Sequence, residues 1–216
     1  MDTLSLGKAN ALIKLKRAEF NVPPFFVCNS FDNEKEILSK KDKFLPKTKY
    51  FAIRSSAKTE DSKKESCAGY FYSAIGVPTE NILEEFSKVV ASFRGENGSV
   101  IIQEFVPSDK GGVIFSRVGN DNIVINSNMG LCQTVVNGYA CDEYICDKDG
   151  RTIHKNIPKE KQFQLFKNNR IINKKISSES LTTSEIKQLV NTAKKIQNFF
   201  GLPQDIEWCF KNNNLY

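Results

Sequence analysis

Residues 203–208 read PQDIEW and follow directly on a long amphipathic segment. Alternate side chains of a strand point to opposite faces, so Asp205 and Glu207 share one face, about 6.6 Å apart along it. Ile206 and Trp208 point the other way, toward an apolar layer. Two carboxylates at this spacing suit a metal ion that bridges phosphates. A half-buried strand with a solvated acidic face has the same pattern, so the hexapeptide alone leaves both interpretations open.

The amphipathic segment before this strand predicts a helix. Thr182 and Glu185 form a capping box, apolar residues recur at helical spacing as far as Phe200, and Gly201 supplies the stop. Upstream, apolar segments separated by Gly, Asn and Asp predict strands of an antiparallel sheet over 99–106, 112–118, 122–127, 138–146 and 151–157. With helices near both ends and a strand-rich middle, the fold class is α+β.

The first hundred residues have weaker signals. Helical spacing of apolar residues predicts helices over 7–20 and 79–93, and an apolar run predicts a strand over 50–54. The polar, lysine-rich residues 29–49 are interpreted as a connection. No boundary between two domains is visible in the composition.

Size and composition exclude several classes of protein. The chain has 216 residues, 40% of them hydrophobic, and a net charge of +6 carried by lysines spread among acids. That length suits one domain or two closely packed lobes. No apolar run approaches the length of a membrane span and the N-terminus lacks a secretory signal, so we expect a cytoplasmic protein without a membrane partner. Aromatic residues do not interleave with Arg or Lys, which argues against nucleic acid as a partner.

The six cysteines form no CxxC pair. Buried, reduced thiols are the expected state, and this spacing disfavours a zinc site. The single histidine, His154, lies in the alternating segment 151–157. It is interpreted as a strand residue rather than a catalyst.

Several residues have the chemistry that a triphosphate site needs. Lys8 follows Gly7 at the start of the first helix, where backbone amides also favour anions. Arg54 ends an apolar strand and precedes two serines, and Gly69 lies in a loop that could bring amides close to phosphates. The segment 103–106 ends a strand of Val and Ile and could contact the edge of an adenine ring. Taken singly, each residue is better explained by a structural role, as a solvated, ion-paired, turn or edge residue.

The order of these segments along the chain resembles a known family. The successive segments are LGKAN at 6–10, VPPFFV at 22–27, IRSSAKTED at 53–61, AGY at 68–70, IQEFVPSD at 102–109, GGVIFS at 111–116, GLCQTVVNG at 130–138 and PQDIEW at 203–208. Together they are similar to the nucleotide-binding domain of phosphoenolpyruvate synthase, pyruvate phosphate dikinase and rifampin phosphotransferase. The resemblance covers nearly the whole chain.

That resemblance implies an ATP-grasp-type fold, with two lobes that meet near a hinge at 103–106, a central mainly antiparallel sheet and flanking helices. Residues 1–216 would form a single nucleotide-binding domain with ATP and Mg²⁺ as cofactors. By motif match, Lys8 and Arg54 would be the catalytic residues that hold the phosphates, Gly69 and Ser73 would lie over them, and Gln103, Glu104, Phe105 and Val106 would contact adenine. Asp109 would reach the ribose, Asp205 and Glu207 would bind Mg²⁺, and Glu207 would also contact the nucleotide.

In this family ATP phosphorylates a histidine on a separate domain, which passes the phosphoryl group to an acceptor such as pyruvate, L-glutamine or an antibiotic. Nothing in the sequence matches that histidine domain, so we expect the chain to be the N-terminal fragment of a longer phosphotransferase. The composition bias toward Lys, Asn, Ile and Phe suggests a glutamine kinase. One departure is Gln133, which stands where the family has glutamate.

Two other interpretations remain open. One is a stand-alone, non-catalytic nucleotide-binding module. The other is a structural α+β protein that binds no nucleotide.

Overall fold

The computed structural model describes residues 7–57, 71–119 and 121–216. The chain divides into two compact units, the first unit Met1–Val106 and the second unit Pro107–Tyr216. Helices and antiparallel strands make up both units, which confirms the mixed, mainly antiparallel architecture expected from the sequence. In the described part of the chain, no helix is both long and apolar enough to cross a membrane.

The first unit is built on one antiparallel sheet. Its elements are α1 (Lys8–Arg17), β1 (Phe25–Asn29), α2 (Glu34–Phe44), β2 (Tyr50–Ala57), β3 (Ser73–Pro78), a short 3₁₀ helix (Thr79–Asn81), α3 (Ile82–Ser92) and β4 (Gly98–Glu104). Among the described residues, the sheet has four strands in the order β1-β4-β2-β3. Strand β2 therefore lies inside the sheet, paired on both sides.

Helix α2 corrects the expectation of a polar connection over 29–49. Asn33 Oδ1 accepts a hydrogen bond from the Glu36 amide, and Glu36 Oε2 accepts one from the Asn33 amide, which is a complete capping box. Ile37 and Leu45 are buried and fix the helix to the core. The signal Asn-x-x-Glu was present in the sequence, but the surrounding lysines obscured the short apolar stripe.

The two faces of the first sheet carry different cores. On one face, Phe51 and Ile53 of β2 pack with Phe86 and Val89 of α3. On the other face, a smaller cluster contains Ala9 of α1 together with Phe25 and Ile101. Helix α1 is thus packed on the second face of the sheet, opposite α3.

The second unit contains a larger antiparallel sheet and a separate hairpin. Its elements are β5 (Lys110–Val118), β6 (Asn122–Met129), α4 (Gln133–Val136), β7 (Asp142–Cys146), β8 (Thr152–Asn156), β9 (Lys161–Lys167), β10 (Arg170–Ile176), α5 (Thr183–Phe200), β11 (Asp205–Lys211) and β12 (Asn214–Leu215). The described residues form a six-stranded sheet in the order β12-β11-β5-β6-β7-β8. Strand β11 pairs with β5, so the hexapeptide 203–208 leads into the interior of this sheet.

The β9–β10 hairpin was not predicted from the sequence. Its turn residues Asn168 and Asn169 both have positive φ, 51° and 60°, the conformation of a type I′ turn that matches the twist of a hairpin. Strand β10 is mostly exposed, so its pattern lacks the apolar alternation by which strands are recognised.

Helix α5 confirms the best-marked element of the sequence. Thr182 Oγ1 accepts a hydrogen bond from the Glu185 amide, the Glu185 carboxylate accepts one from the Thr182 amide, and Gly201 has a φ of 73° at the C-terminal cap. The apolar stripe of α5 packs on the same face of the sheet as Trp208 and Tyr144. This packing covers the back of β11.

Candidate functional site

Three of the predicted nucleotide-site residues share one face of the first sheet. Arg54 of β2 pairs with Ser73 on β3 and with Ile101 on β4, while Ala52 of β2 pairs with Gln103 on β4. Paired residues of adjacent strands point to the same face, and so do residues two apart along one strand. Arg54, Ser73 and Gln103 therefore lie on the face that carries α1.

Helix α1 is joined to this face by a buried hydrogen bond. The Ala9 amide donates to Ser56 Oγ over 3.0 Å, and Ser56 follows Arg54 on the same face of β2. Lys8, the first residue of the helix, is exposed. The contact brings an exposed ammonium and a helix N-terminus, both favourable for anions, to the face that carries Arg54.

The segment 103–106 has most of its hydrogen-bonding groups in use. The Gln103 side chain is 7% exposed, and its Nε2 donates to Pro23 O over 3.3 Å. The Glu104 amide donates to Pro24 O and the Phe105 amide to Tyr50 O. In the part of the chain that the structure describes, the Val106 amide donates to no other backbone group.

Gly69, predicted to lie over the phosphates, falls outside the described residues, as does Cys67. The other five cysteines are in the reduced, thiol state. Cys28 and Cys146 are buried as expected, whereas Cys132, Cys141 and Cys209 are only half-buried. His154 lies on β8 and is exposed, in agreement with its interpretation as a strand residue.

The acidic hexapeptide has the predicted alternation. Asp205 and Glu207 are exposed, Ile206 is half-buried and Trp208 is 3% exposed. Ser116 fixes the start of the strand, because its amide donates to Gln204 O over 2.9 Å and its Oγ accepts from the Gln204 amide over 2.7 Å. The strand prediction is confirmed, and metal binding by its carboxylates stays a prediction.

The carboxylate face of the second sheet offers few further acidic ligands. Glu207 pairs with Val113, and Val113 pairs with Asn126. The side-chain amide of Asn126 therefore lies on the same face, two strands from Glu207. Within residues 7–57, 71–119 and 121–216, no group of three or more His, Cys, Asp or Glu side chains could hold a metal ion. Mg²⁺ bound at Asp205 and Glu207 would therefore need ligands besides the carboxylates that the described residues group together. Phosphate oxygens and water commonly complete such a site.

Asp109 connects the start of the second unit to the turn after β11. Its carboxylate accepts hydrogen bonds from Lys211 Nζ over 2.7 Å and from the Asn212 amide over 2.9 Å. Partial burial by itself raises the pKa of this carboxyl, but the Lys211 and Asn212 hydrogen bonds outweigh it and hold the pKa below 3.8. The sequence predicted a ribose contact here and gave no sign of this anchoring role.

The segment 130–133 approaches the second sheet closely. Gly130 donates its amide to Asp109 O over 2.7 Å, and Gly130 O accepts from Ser108 Oγ over 2.8 Å. Cys132 Sγ donates to Gly112 O over 3.3 Å. Gln133 Nε2 donates to Oδ1 of Asn137, the C-terminal cap of α4. The sequence drew attention to this segment only because of Gln133, and it suggested no role for Cys132.

Comparison with known proteins gives both a family and relatives. The family model described as "Pyruvate phosphate dikinase, AMP/ATP-binding domain" matches residues 94–216. A probable phosphoenolpyruvate synthase of Methanothermobacter thermautotrophicus is 30% identical over 77% of this chain and 28% of its own length. A rifampicin phosphotransferase of Bacillus cereus is 30% identical over 77% of this chain and 22% of its own length. The chain thus spans about a quarter of the length of these curated relatives.

A solved structure supports the fold. The D-alanine–D-alanine ligase of Bacillus anthracis, an ATP-grasp enzyme, matches with a TM-score of 0.51 at 9% identity, over 97% of this chain and 54% of that chain. At this identity the likeness concerns the fold alone. The ATP-grasp-type fold expected from the sequence is confirmed.

Proposed function

The chain belongs to the family of pyruvate phosphate dikinase AMP/ATP-binding domains, and we propose that it binds Mg·ATP as the nucleotide-binding part of a dikinase-type phosphotransferase. The observation that carries the proposal is the placement of Arg54, Ser73 and Gln103 on one face, to which the N-terminus of α1 is joined. A structural protein would have no need to place these groups together.

The phosphates of ATP are assigned to Lys8 and Arg54. Arg54 is half-buried on β2, and its planar guanidinium can bind two phosphate oxygens at once. Lys8 adds a mobile charge at a helix N-terminus. Ser73 is exposed beside Arg54 and can donate its hydroxyl to the same anion. The position of Gly69 over the phosphates is proposed from the family resemblance alone.

The adenine ring is assigned to the segment from Gln103 to Val106. Because the Glu104 and Phe105 amides already donate to Pro24 O and Tyr50 O, the Val106 amide is the donor proposed for a ring nitrogen of adenine. The nearby carbonyl oxygens would accept from its amino group. Gln103 contributes by fixing this segment through Pro23 O. Asp109 is the proposed ribose contact.

The metal is assigned to Asp205 and Glu207. Their carboxylate oxygens are hard ligands, both are exposed on one face, and a buried Trp208 holds the strand from behind, so the residues fit Mg²⁺. When bound, Mg²⁺ neutralises phosphate charge and polarises the phosphoryl group. The role of the chain is to hold the two carboxylates in place.

The remaining steps of the cycle are proposed from the family. ATP would phosphorylate a histidine of a separate domain, and the acceptor would be pyruvate, L-glutamine or an antibiotic, with a glutamine kinase as one possibility within that set. The cytoplasm is the proposed location, since ATP is used there. A stand-alone binding module would bind ATP equally well without this transfer, so single-turnover transfer to a histidine domain separates the two functions.

Replacement of Arg54 tests the proposed site. Arg54→Ala should lower the affinity for ATP by about 10- to 150-fold, because it removes charge-assisted hydrogen bonds worth about 1.5–3 kcal/mol. AMP, which lacks the terminal phosphates, should lose less. Arg17→Ala is a matched control, since Arg17 is an exposed residue in the last turn of α1. Equal ATP affinity in the Arg54 and Arg17 variants would remove Arg54 from the site.

A further inference from the structure

Cys132 occupies the space above Gly111 on the second sheet. A Cβ atom at position 111 would lie 2.7 Å from Cys132 N, 2.8 Å from its Cα and 3.0 Å from its Cβ. These distances are shorter than any ordinary contact, so only glycine allows the approach. The backbone of Cys132 therefore lies directly against β5, on the face to which a side chain at 111 would point.

Cys209 lies opposite Gly111 on the neighbouring strand. The two residues are paired between β5 and β11. Cys209 uses its own amide and carbonyl to bond Tyr216, on the side away from β5. The pair is thus a non-hydrogen-bonded one, in which facing side chains come closest, about 4.5–5.5 Å between Cβ positions. The Cys209 side chain consequently faces the space that Cys132 fills.

The Cys132 sulfur lies close to the backbone of β5, next to Gly111. Its Sγ donates to Gly112 O over 3.3 Å, and Gly112 is paired with Trp208, the residue before Cys209. The strand pairing thus places both side chains on one face of the sheet, and both are half-buried. Burial raises the pKa of the Cys209 thiol to about 12, so Cys132 is the thiol expected to react first.

We propose that Cys132 and Cys209 form a dithiol that a hydroperoxide oxidises to a disulfide. One thiol attacks the peroxide O–O bond and becomes a sulfenic acid, while the peroxide leaves as water or an alcohol. The other thiol attacks the sulfenic sulfur and the S–S bond forms. The sulfenic hydroxyl leaves as water, taking up the proton of the attacking thiol. The overall change is two thiols and one hydroperoxide to one disulfide, with the peroxide as the oxidant.

The disulfide would join the segment 130–133 to β11 close to Glu207. Cys209 is two residues after Glu207 and on the same face. In the reduced state the segment is held by non-covalent contacts: hydrogen bonds of Gly130 with Ser108 and Asp109, and the burial of Leu131. A covalent bond would fix the segment against the carboxylate strand and lower Mg²⁺-dependent nucleotide binding. This consequence rests on the proposed function, whereas the formation of the disulfide does not.

The other cysteines provide controls. Cys146 is buried on β7, beside the core residue Tyr144, and Cys28 belongs to the first unit. Cys141 is the competing partner, because it directly precedes β7 of the same sheet and is half-buried. Cys146→Ser should leave the reaction unchanged.

The test is peptide mapping of the full chain after hydrogen peroxide and then an alkylating reagent. We expect one peptide pair joined through Cys132 and Cys209, absent after dithiothreitol and absent in Cys209→Ser. Free alkylation of both thiols after peroxide, or a bridge from Cys132 to Cys141 or Cys67, would overturn the assignment. The oxidised chain should bind Mg·ATP about tenfold more weakly and recover on reduction. Equal affinity would reject the coupling, and a disulfide in a chain that never binds ATP would reject the proposed function while leaving the dithiol in place.

Discussion

The Ala9 amide donates a 3.0 Å hydrogen bond to Ser56 Oγ, and this bond joins the first turn of α1 to the strand that carries Arg54. Both partners are buried. An amide in the first turn of a helix has no partner within the helix, so the serine hydroxyl satisfies a group that would otherwise be buried alone. The same bond determines where Lys8 lies relative to Arg54.

Ser56→Ala should therefore reduce both stability and ATP affinity. The variant leaves the Ala9 amide buried without its acceptor, which costs about 1–3 kcal/mol in the free energy of unfolding. Because α1 is released from β2, ATP should bind more weakly than to the unchanged chain at a temperature where both are folded. Urea unfolding and calorimetric titration measure the two effects.

Ser87→Ala is the matched control for this variant. Ser87 Oγ donates to Leu83 O on the exposed side of α3, so its loss should change stability by no more than about 0.5 kcal/mol. If Ser56→Ala behaves like Ser87→Ala in both measurements, the contact does not position Lys8.

The fully buried pair of Lys161 and Asp142 predicts a large stability effect in the second unit. Lys161 Nζ donates to Asp142 and to Ser178 O, and the Ser180 amide and hydroxyl both donate to Asp142 Oδ2. Both charged side chains are inaccessible to solvent. Asp142→Asn leaves a buried ammonium without its counter-ion and should lower the free energy of unfolding by about 3–5 kcal/mol.

The exposed pair of Lys175 and Glu160 serves as the comparison for that variant. Both side chains are 60% exposed, so Glu160→Gln should change the free energy of unfolding by less than about 1 kcal/mol. Guanidinium unfolding of both variants gives the difference. Similar small losses in the two variants would show that the Asp142 pair contributes no more than a surface pair.

Glu185 predicts a pH dependence of stability. Its burial alone raises the pKa, but hydrogen bonds from Lys110 and from Thr182 outweigh burial and hold the pKa below the ordinary value of 4.5. A carboxyl with a lowered pKa stabilises the folded state above its unfolded pKa, and this contribution is lost as pH falls through the folded value. Stability should thus fall below about pH 4.5 more steeply in the unchanged chain than in Glu185→Gln. Parallel pH curves would contradict the assignment.

The ribose role of Asp109 can be separated from its anchoring role. Asp109→Asn and Lys211→Met both break the 2.7 Å ion pair, but only the first changes a group proposed to contact ribose. A ribose contact predicts that Asp109→Asn loses the preference for ATP over 2′-deoxy-ATP while Lys211→Met keeps it. Competition binding with the two nucleotides measures the preference, and its survival in Asp109→Asn would leave the residue with the anchoring role only.

The sequence predicted those elements whose local signals agree with their tertiary contacts. Helix α5 has a capping box, an apolar stripe and a stop glycine, and the strand with Asp205 and Glu207 has a clear alternation. Both elements pack against one another, so pattern and burial reinforce each other. The resemblance supplied the ATP-grasp-type fold, which no local pattern contained.

The missed elements are those that tertiary contacts stabilise without a strong local pattern. Helix α2 has one fully buried apolar residue, Ile37, among lysines and acids. The β9–β10 hairpin depends on a buried Lys161, a residue that propensity assigns to the surface. Close approaches such as that of Cys132 to Gly111 join positions distant in sequence, so no spacing rule could reveal them.

The most direct test of Mg·ATP binding is calorimetric titration of the full chain with ATP in the presence and absence of Mg²⁺, repeated with Glu207→Gln. We predict saturable binding that Mg²⁺ strengthens, and a Glu207→Gln variant that keeps its fold but loses the Mg²⁺ dependence, because one of two carboxylate ligands is gone. Absence of binding at millimolar ATP and ADP would contradict the proposed function, and equal Mg²⁺ dependence in the variant would contradict the metal assignment.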